Sequence, residues 1–125
     1  MDSTEKTNLI LLVDDNKNAC KLLGMVLTQR GFDVIEAHDG ATGLELATST
    51  RPKVALIDIG MPVMNGIELV REIRARESDH RILCVALTGD VNDDARESAL
   101  AAGFDEHFCK PVRPSIIAEY LSDKF

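Results

Sequence analysis

Leu9-Ile10-Leu11-Leu12-Val13 stops at Asp14-Asp15-Asn16. Five apolar residues without alternation read as a strand covered on both faces, since a strand with one wet face alternates. The two acids that end it therefore sit at the rim of a sheet. The same punctuation recurs along the chain. Val54-Ala55-Leu56-Ile57 stops at Asp58, the run from Ile82 to Leu87 closes at Thr88, and Phe108-Cys109 ends at Lys110. Val34-Ile35 supplies one more, shorter strand.

Helical spacing fills the intervals. Asn16 caps a segment in which Ala19, Leu22, Leu23, Val26 and Leu27 share a face, and Gly31 stops it. Ala41, Leu44 and Ala47 mark a second helix, ended before Pro52, and Gly66, Leu69, Val70 and Ile73 mark a third. Ala95, Ala99 and Ala102 suggest a fourth with a thin apolar face. Pro114 opens a fifth, with Ile116, Ile117, Tyr120 and Leu121 turned inward. Strand and helix thus alternate five times. This predicts an α/β fold: one domain, a five-stranded parallel sheet, doubly wound with helices on both faces as in flavodoxin-like (βα)5 proteins. Right-handed crossovers bring the loops after the strands to the carboxyl edge, where such sheets bind ligands. Asp14, Asp15, Asp58, Thr88 and Lys110 are expected to meet there.

The chain's 125 residues suit one domain, with residues 1–7 a polar tail and 8–125 the folded unit. A net charge of −7 without a Lys/Arg cluster argues against a nucleic-acid surface and for a cation or a basic partner. Three cysteines without a CxxC pair argue against a disulfide framework or zinc site. Cys84 and Cys109 lie in apolar runs and read as small buried hydrophobes. No stretch reads as a signal peptide or membrane span, so a reducing cytoplasm is the expected location. His38 and His80 read as solvated loop residues. Gly40, Gly43, Gly66 and Gly89 read as turn or packing positions, since neither GxGxxG nor GxxxxGK[ST] occurs.

Three crowded carboxylates repel one another unless a cation holds them. All-oxygen donors suit Mg2+, which keeps several of its waters and neutralises an incoming phosphoryl group. A carboxylate can also act as nucleophile and form an acyl phosphate. Lys110 offers a compact positive charge, and the Thr88 hydroxyl a hydrogen bond, to phosphate oxygens.

With these residues in order, the chain resembles the receiver domain of two-component response regulators and hybrid histidine kinases. The resemblance runs from Asn8 to about Leu121. It rests on Leu11–Asn16, Asp58–Gly66, Ala86-Leu87-Thr88-Gly89, Gly103-Phe104-Asp105 and Lys110-Pro111-Val112. It implies that Asp58 is the phosphoacceptor, charged from a phosphohistidine of a sensor histidine kinase or histidine phosphotransferase. Asp15 and Asp58 would ligate Mg2+, Asp14 would act mainly through a metal water, and Gly60 would add its backbone carbonyl. Thr88 and Lys110 would contact the phosphoryl group. The Lys110–Pro111 peptide is expected to be cis. The fourth helix, fifth strand and fifth helix would form the docking and dimerisation face.

Some positions depart from the usual pattern of that family. His107 stands where the family usually has a Tyr or Phe that moves with Thr88. An imidazole changes charge near neutral pH, so the coupling through His107 would vary with pH. Gly60 offers no side chain two residues after Asp58, and Asp90 lies two residues after Thr88; both positions bear on how long the phosphate lasts.

Other functions fit less well. A haloacid-dehalogenase-type phosphatase needs a second Asp where Gly60 stands, as its acid–base catalyst. A flavodoxin needs a phosphate-binding loop where Asp14-Asp15 would repel the phosphate. A pure docking module has no need of the acids, Thr88 and Lys110 together. The protein would be its own substrate, catalysing its phosphorylation and slow dephosphorylation, rather than a conventional enzyme. It would be a stand-alone regulator or a piece of a hybrid kinase.

Overall fold

The unbroken run Leu9–Val13 is β1, and from Ile10 onward all of it is buried. It is followed by α1 (Lys17–Gln29), β2 (Asp33–Ala37), α2 (Gly40–Thr50), β3 (Val54–Asp58), α3 (Gly66–Arg76), β4 (Leu83–Thr88), α4 (Asp93–Ala102), β5 (Glu106–Cys109) and α5 (Pro114–Ser122). The computed structural model describes residues 8–77, 79–89 and 92–125. The polar tail expected over residues 1–7, and Asp90, lie outside the described residues.

All strand pairs are parallel, in the order β2-β1-β3-β4-β5. The chain moves outward from β1 to β2 and then crosses back to β3, so β1 and β3 flank the switch point. Side chains alternate across the sheet and feed two cores. Leu11, Val13 and Ile57 join Leu69, Ile73 and Phe104 on one face. Ile10, Leu12 and Leu56 join Leu27, Ile117 and Leu121 on the other. Two covered faces explain why β1 and β3 carry no polar residue before their final acids.

The helices start as their sequences require. The Asn16 side chain accepts the Ala19 amide at 3.1 Å. Asn65 and Glu68 form a reciprocal capping box at the start of α3. A Cβ at Gly66 would lie 2.7 Å from the Ile59 Cα, so only glycine lets α3 approach the end of β3 this closely.

Three expectations about facing need correction. The buried stripe of α1 is Cys20, Leu23, Gly24 and Leu27, while Leu22 is 62% exposed. The core-facing arc of α1 takes in Leu23 and Gly24 and leaves Leu22, about 100° further round the helix, on its outer side. On α5 the buried residues are Ile117, Ala118 and Leu121, and Ile116 faces outward for the same reason. Cys109 is exposed at the end of β5, an edge strand with a neighbour on one side only. Cys20 and Cys84 are buried, and burial pushes both thiols up to about 12. The two loop histidines are also engaged: His38 pairs with Glu36, and His80 lies 2.9 Å from the Pro52 carbonyl.

Among the described residues, Arg51 at the end of α2 and Val63 are the non-glycine positions with positive φ, and the β-branched valine carries the larger strain. Val63, in the loop between β3 and α3, has φ +67° and a fully exposed side chain. The left-handed region costs an L-residue roughly 1–2 kcal/mol, and more for a β-branched one. Glycine avoids that cost but adds roughly 0.5–1 kcal/mol of unfolded-state entropy. Val63→Gly is therefore expected to raise the unfolding free energy by about 0.5–1 kcal/mol in urea titration. A lower value would show that the valine side chain makes a stabilising contact.

Candidate functional site

The β1–β3 register pairs Val13 with Ile57, which leaves Asp14 beside Asp58 at the carboxyl edge. Asp14 and Asp58 are buried, while Asp15 is exposed. Carboxylate oxygens of Asp14, Asp15 and Asp58 all lie within 4.8 Å of one another. Lys110 arrives from the end of β5. Its Nζ stands 3.2 Å from Asp14 Oδ2 and 3.5 Å from Asp58 Oδ1. One ammonium thus bridges acids from two strands, 96 and 52 residues away in the chain.

Backbone groups hold these side chains in place. Asp14 Oδ1 accepts the Asn16 amide at 2.9 Å, and the Asp14 amide donates to the Ala37 carbonyl at 3.1 Å. Asp58 Oδ1 accepts the Gly60 amide at 3.2 Å. The Lys110 amide donates to the Thr88 carbonyl at 2.7 Å, tying the lysine to the end of β4. The Lys110–Pro111 peptide is cis, as the resemblance to receiver domains implies. Thr88 is buried at that strand end. His107, on β5 three residues before Lys110, is buried, and its Nε2 has no hydrogen-bond partner among the described residues. A Cβ added at Gly60 would meet only the Asp58 Oδ1, at 3.9 Å, so a side chain at this position would face the carboxylate directly.

The electrostatics point to a missing positive charge. Burial, and then the Asp14 charge, hold the Asp58 carboxyl above the usual carboxylate range, although Lys110 pulls the other way. Burial opposes the charge on Lys110, but the hydrogen bond to Asp14 and the charges of Asp58 and Asp14 outweigh it and raise the lysine above its ordinary value. Three carboxylates against one ammonium leave an excess of two negative charges, which a divalent cation would cancel. The donors are all oxygen, which fits Mg2+. Because a proton competes with the metal at Asp58, Mg2+ affinity should begin to fall with decreasing pH above the ordinary aspartate value of about 4. Calorimetric titration across pH checks this. An affinity that stays flat until about pH 4 would contradict it.

The sequence reading brought Asp14, Asp15, Asp58, Gly60, Thr88 and Lys110 to one edge, and the structure places them there. It did not single out the Asn16 amide and the Ala37 carbonyl that fix Asp14, because backbone groups leave no residue signature.

Residues 10–122 match the family model described as the response regulator receiver domain. The chain belongs to this family. Receiver domains serve two-component signalling, which is the class of function of this chain. Over 122 residues it is 34% identical to the transcriptional regulatory protein PrrA of Mycobacterium leprae, covering 98% of this chain and 50% of that protein. The receiver domain therefore spans about half the length of that relative. It is 33% identical over 116 residues to a chemotaxis protein CheY homolog of Campylobacter jejuni, covering 91% of this chain and 89% of that one. Among solved structures it resembles the receiver domain of a sensor histidine kinase from Pseudomonas aeruginosa, with a TM-score of 0.83 and 31% identity, covering 93% of this chain and 95% of that one. That receiver has a magnesium ion coordinated in its active-site cleft. In the present receiver domain no helix among the described residues is long and apolar enough to cross a membrane.

Proposed function

We propose that Asp58 accepts a phosphoryl group from a phosphohistidine of a sensor histidine kinase or histidine phosphotransferase, and that the resulting charge at the sheet edge switches the surface around β5. The observation that carries this reading is the Lys110 ammonium standing between the carboxylates of Asp14 and Asp58. A lysine in that position lowers the cost of the buried acids and can turn to the oxygens of a newly attached phosphoryl group.

An Asp58 carboxylate oxygen attacks phosphorus. A P–O bond forms, the P–N bond breaks, and the departing imidazole keeps the electron pair. Asp14, Asp15, Asp58 and the Gly60 carbonyl would hold Mg2+, which when bound neutralises charge on the phosphoryl oxygens. The Gly60 amide and Lys110 orient the Asp58 carboxylate before transfer. Afterwards Lys110 pairs with a phosphoryl oxygen and the Thr88 hydroxyl donates to another. Water attack on the acyl phosphate later returns Asp58 to its free form. The protein is thus substrate and catalyst of both steps.

His107 links the site to the partner surface. A buried ring nitrogen without a partner among the described residues is costly, and that cost favours movement of the ring when the site changes. If a His107→Tyr variant kept the same dependence of partner affinity on pH, His107 would have no part in the switch. The surface formed by α4, β5 and α5 is the face for output and for dimerisation, with the cytoplasm as its location.

Label transfer from a phosphorylated histidine phosphotransferase tests the proposal. The wild type should accept the label, and Asp58→Asn should reduce transfer to background. Undiminished labelling of the variant would place the acceptor elsewhere.

A further inference from the structure

A second group of ligand-type side chains closes up beside β2, separate from the carboxylates around Asp58. Cys20 on α1, Glu36 on β2 and His38 just beyond β2 bring a sulfur, a carboxylate oxygen and a ring nitrogen to within 4.8 Å of one another. Phosphoryl transfer uses none of the three. We infer that Cys20, Glu36 and His38 bind a divalent cation of the zinc class, with three protein ligands and a water in the fourth position.

The donor set distinguishes this site from the acidic one. Asp14, Asp15 and Asp58 offer oxygen only, the preference of Mg2+; sulfur with imidazole and one carboxylate is a preference of zinc. Charge agrees, because one thiolate and one carboxylate cancel the two positive charges of the metal. A half-buried site of that kind carries no net charge to desolvate.

The geometry needs only a small closure. Zinc with bonds of about 2.3 Å to sulfur and about 2.0 Å to nitrogen sets those atoms about 3.5 Å apart. Zinc bonds of about 2.0 Å to nitrogen and to oxygen set that pair about 3.3 Å apart, and His38 Nε2 and Glu36 Oε1 already stand at 3.1 Å. Cys20 is fixed in the core at 2% exposure, and its sulfur makes a long 4.0 Å contact to the Leu12 carbonyl. The His38 and Glu36 side chains are 35% and 33% exposed, so they are free to close on it. An open groove of about 370 Å³, whose lining includes Lys21, Gly24 and Met25, reaches the Glu36 carboxylate. A Cβ at Gly24 would lie 3.4 Å from Glu36 Oε2, so the glycine leaves that carboxylate room to turn. On binding, the thiol proton passes to solvent and the sulfur's lone pair forms the bond to the metal.

The site also adjoins the phosphorylation edge. Ala37, between Glu36 and His38, offers the carbonyl that holds the Asp14 amide.

Cobalt(II) titration of the chelator-treated full chain, with Mg2+ saturating so that the acidic site is taken, tests the inference. The wild type should develop a near-ultraviolet sulfur-to-cobalt charge-transfer band that saturates at a single equivalent and is displaced by zinc. Cys20→Ser should abolish the band. His38→Ala should weaken binding roughly tenfold or more, the scale on which zinc sites respond to lost ligand support. Cys109→Ser and Asp58→Asn should leave the band in place. The inference is overturned by absence of the band in the wild type, by its survival in Cys20→Ser, or by its loss in Cys109→Ser or Asp58→Asn. If circular dichroism shows Cys20→Ser unfolded, His38→Ala and Glu36→Gln decide, and unchanged cobalt affinity in both overturns it.

Discussion

Asp58→Asn should make the metal-free protein more stable, by about 1–2 kcal/mol, while removing its capacity to be phosphorylated. Removing one partner of a buried ion pair usually destabilises, so the opposite sign needs a reason. Lys110 is shared among too many acids: it pairs with Asp14 at 3.2 Å and with Asp58 at 3.5 Å, and Asp15 adds a third carboxylate. Replacing Asp58 by its neutral near-isostere leaves the Lys110–Asp14 pair intact and relieves the Asp14–Asp58 repulsion. The raised pKa of Asp58 has the matching sign. A carboxyl pushed up in the folded state opposes folding when ionised, so its penalty is full at neutral pH and fades as pH falls through the raised value. The stability gap between variant and wild type should therefore narrow as pH drops toward about 4. Urea titration in the presence of a chelator gives both numbers. For a domain of this size, the expected gain corresponds to a rise of roughly 3–5 °C in Tm per kcal/mol. Added Mg2+ should stabilise the wild type more than the variant. A variant less stable than wild type in chelator would mean that Lys110 fully compensates the acids.

Arg74→Ala should act in the other direction, costing about 3 kcal/mol, out of a total that is commonly only about 5–15 kcal/mol. Arg74 lies on α3 at the amino edge of the sheet, with its side chain largely buried. Its Nε donates to the Gly103 carbonyl at 2.9 Å. Nη1 donates to Glu77 at 2.6 Å and to the Ile82 carbonyl at 2.7 Å, and Nη2 to Asp105 at 2.8 Å. Asp105 also accepts the Cys84 amide at 2.9 Å and pairs with Arg81. One guanidinium thus joins α3, the approach to β4 and the turn between α4 and β5. Its loss leaves two carboxylates and two carbonyls short of donors in a partly dry place, which is the expensive case. Burial works against the charge of Asp105, but the Arg81 hydrogen bond, the Cys84 amide and the Arg74 charge outweigh it and hold the carboxyl below its ordinary value. That contribution is present above about pH 4 and lost as pH falls through the depressed value, so the wild type should lose part of its advantage over the variant in acid. Because the network lies at the edge opposite Asp58, folded Arg74→Ala should still accept phosphate. A loss below about 1 kcal/mol in urea titration would mean that water replaces the guanidinium at little cost.

The fold was legible where apolar runs met single polar stops. Leu9–Val13 before Asp14, and Val54–Ile57 before Asp58, fixed the buried parallel strands, and the strand ends fixed the acids, Thr88 and Lys110 as one group. Facing was less legible. Leu22 and Leu23 are equally apolar, and so are Ile116 and Ile117; only the neighbouring elements decide which of each pair turns inward. Cys109 sits in an apolar run, yet an edge strand leaves it in solvent. Contacts across long stretches of chain left no trace in the sequence pattern. Arg74 meets Asp105 31 residues later, and Cys20 and Glu36 converge from α1 and β2 without a shared motif. The strain at Val63 was equally hidden, since valine gives no hint of a left-handed turn.

The most direct measurement of the shared pocket is intact mass after incubation with a small phosphodonor, once with Mg2+ and once with chelator, followed by peptide mapping. We expect the wild type to gain the mass of a single phosphoryl group, on the peptide containing Asp58, and only when Mg2+ is present. Equal phosphorylation with chelator, or a phosphoryl group on any other residue, would mean that Asp14, Asp15, Asp58 and Lys110 do not work as one site.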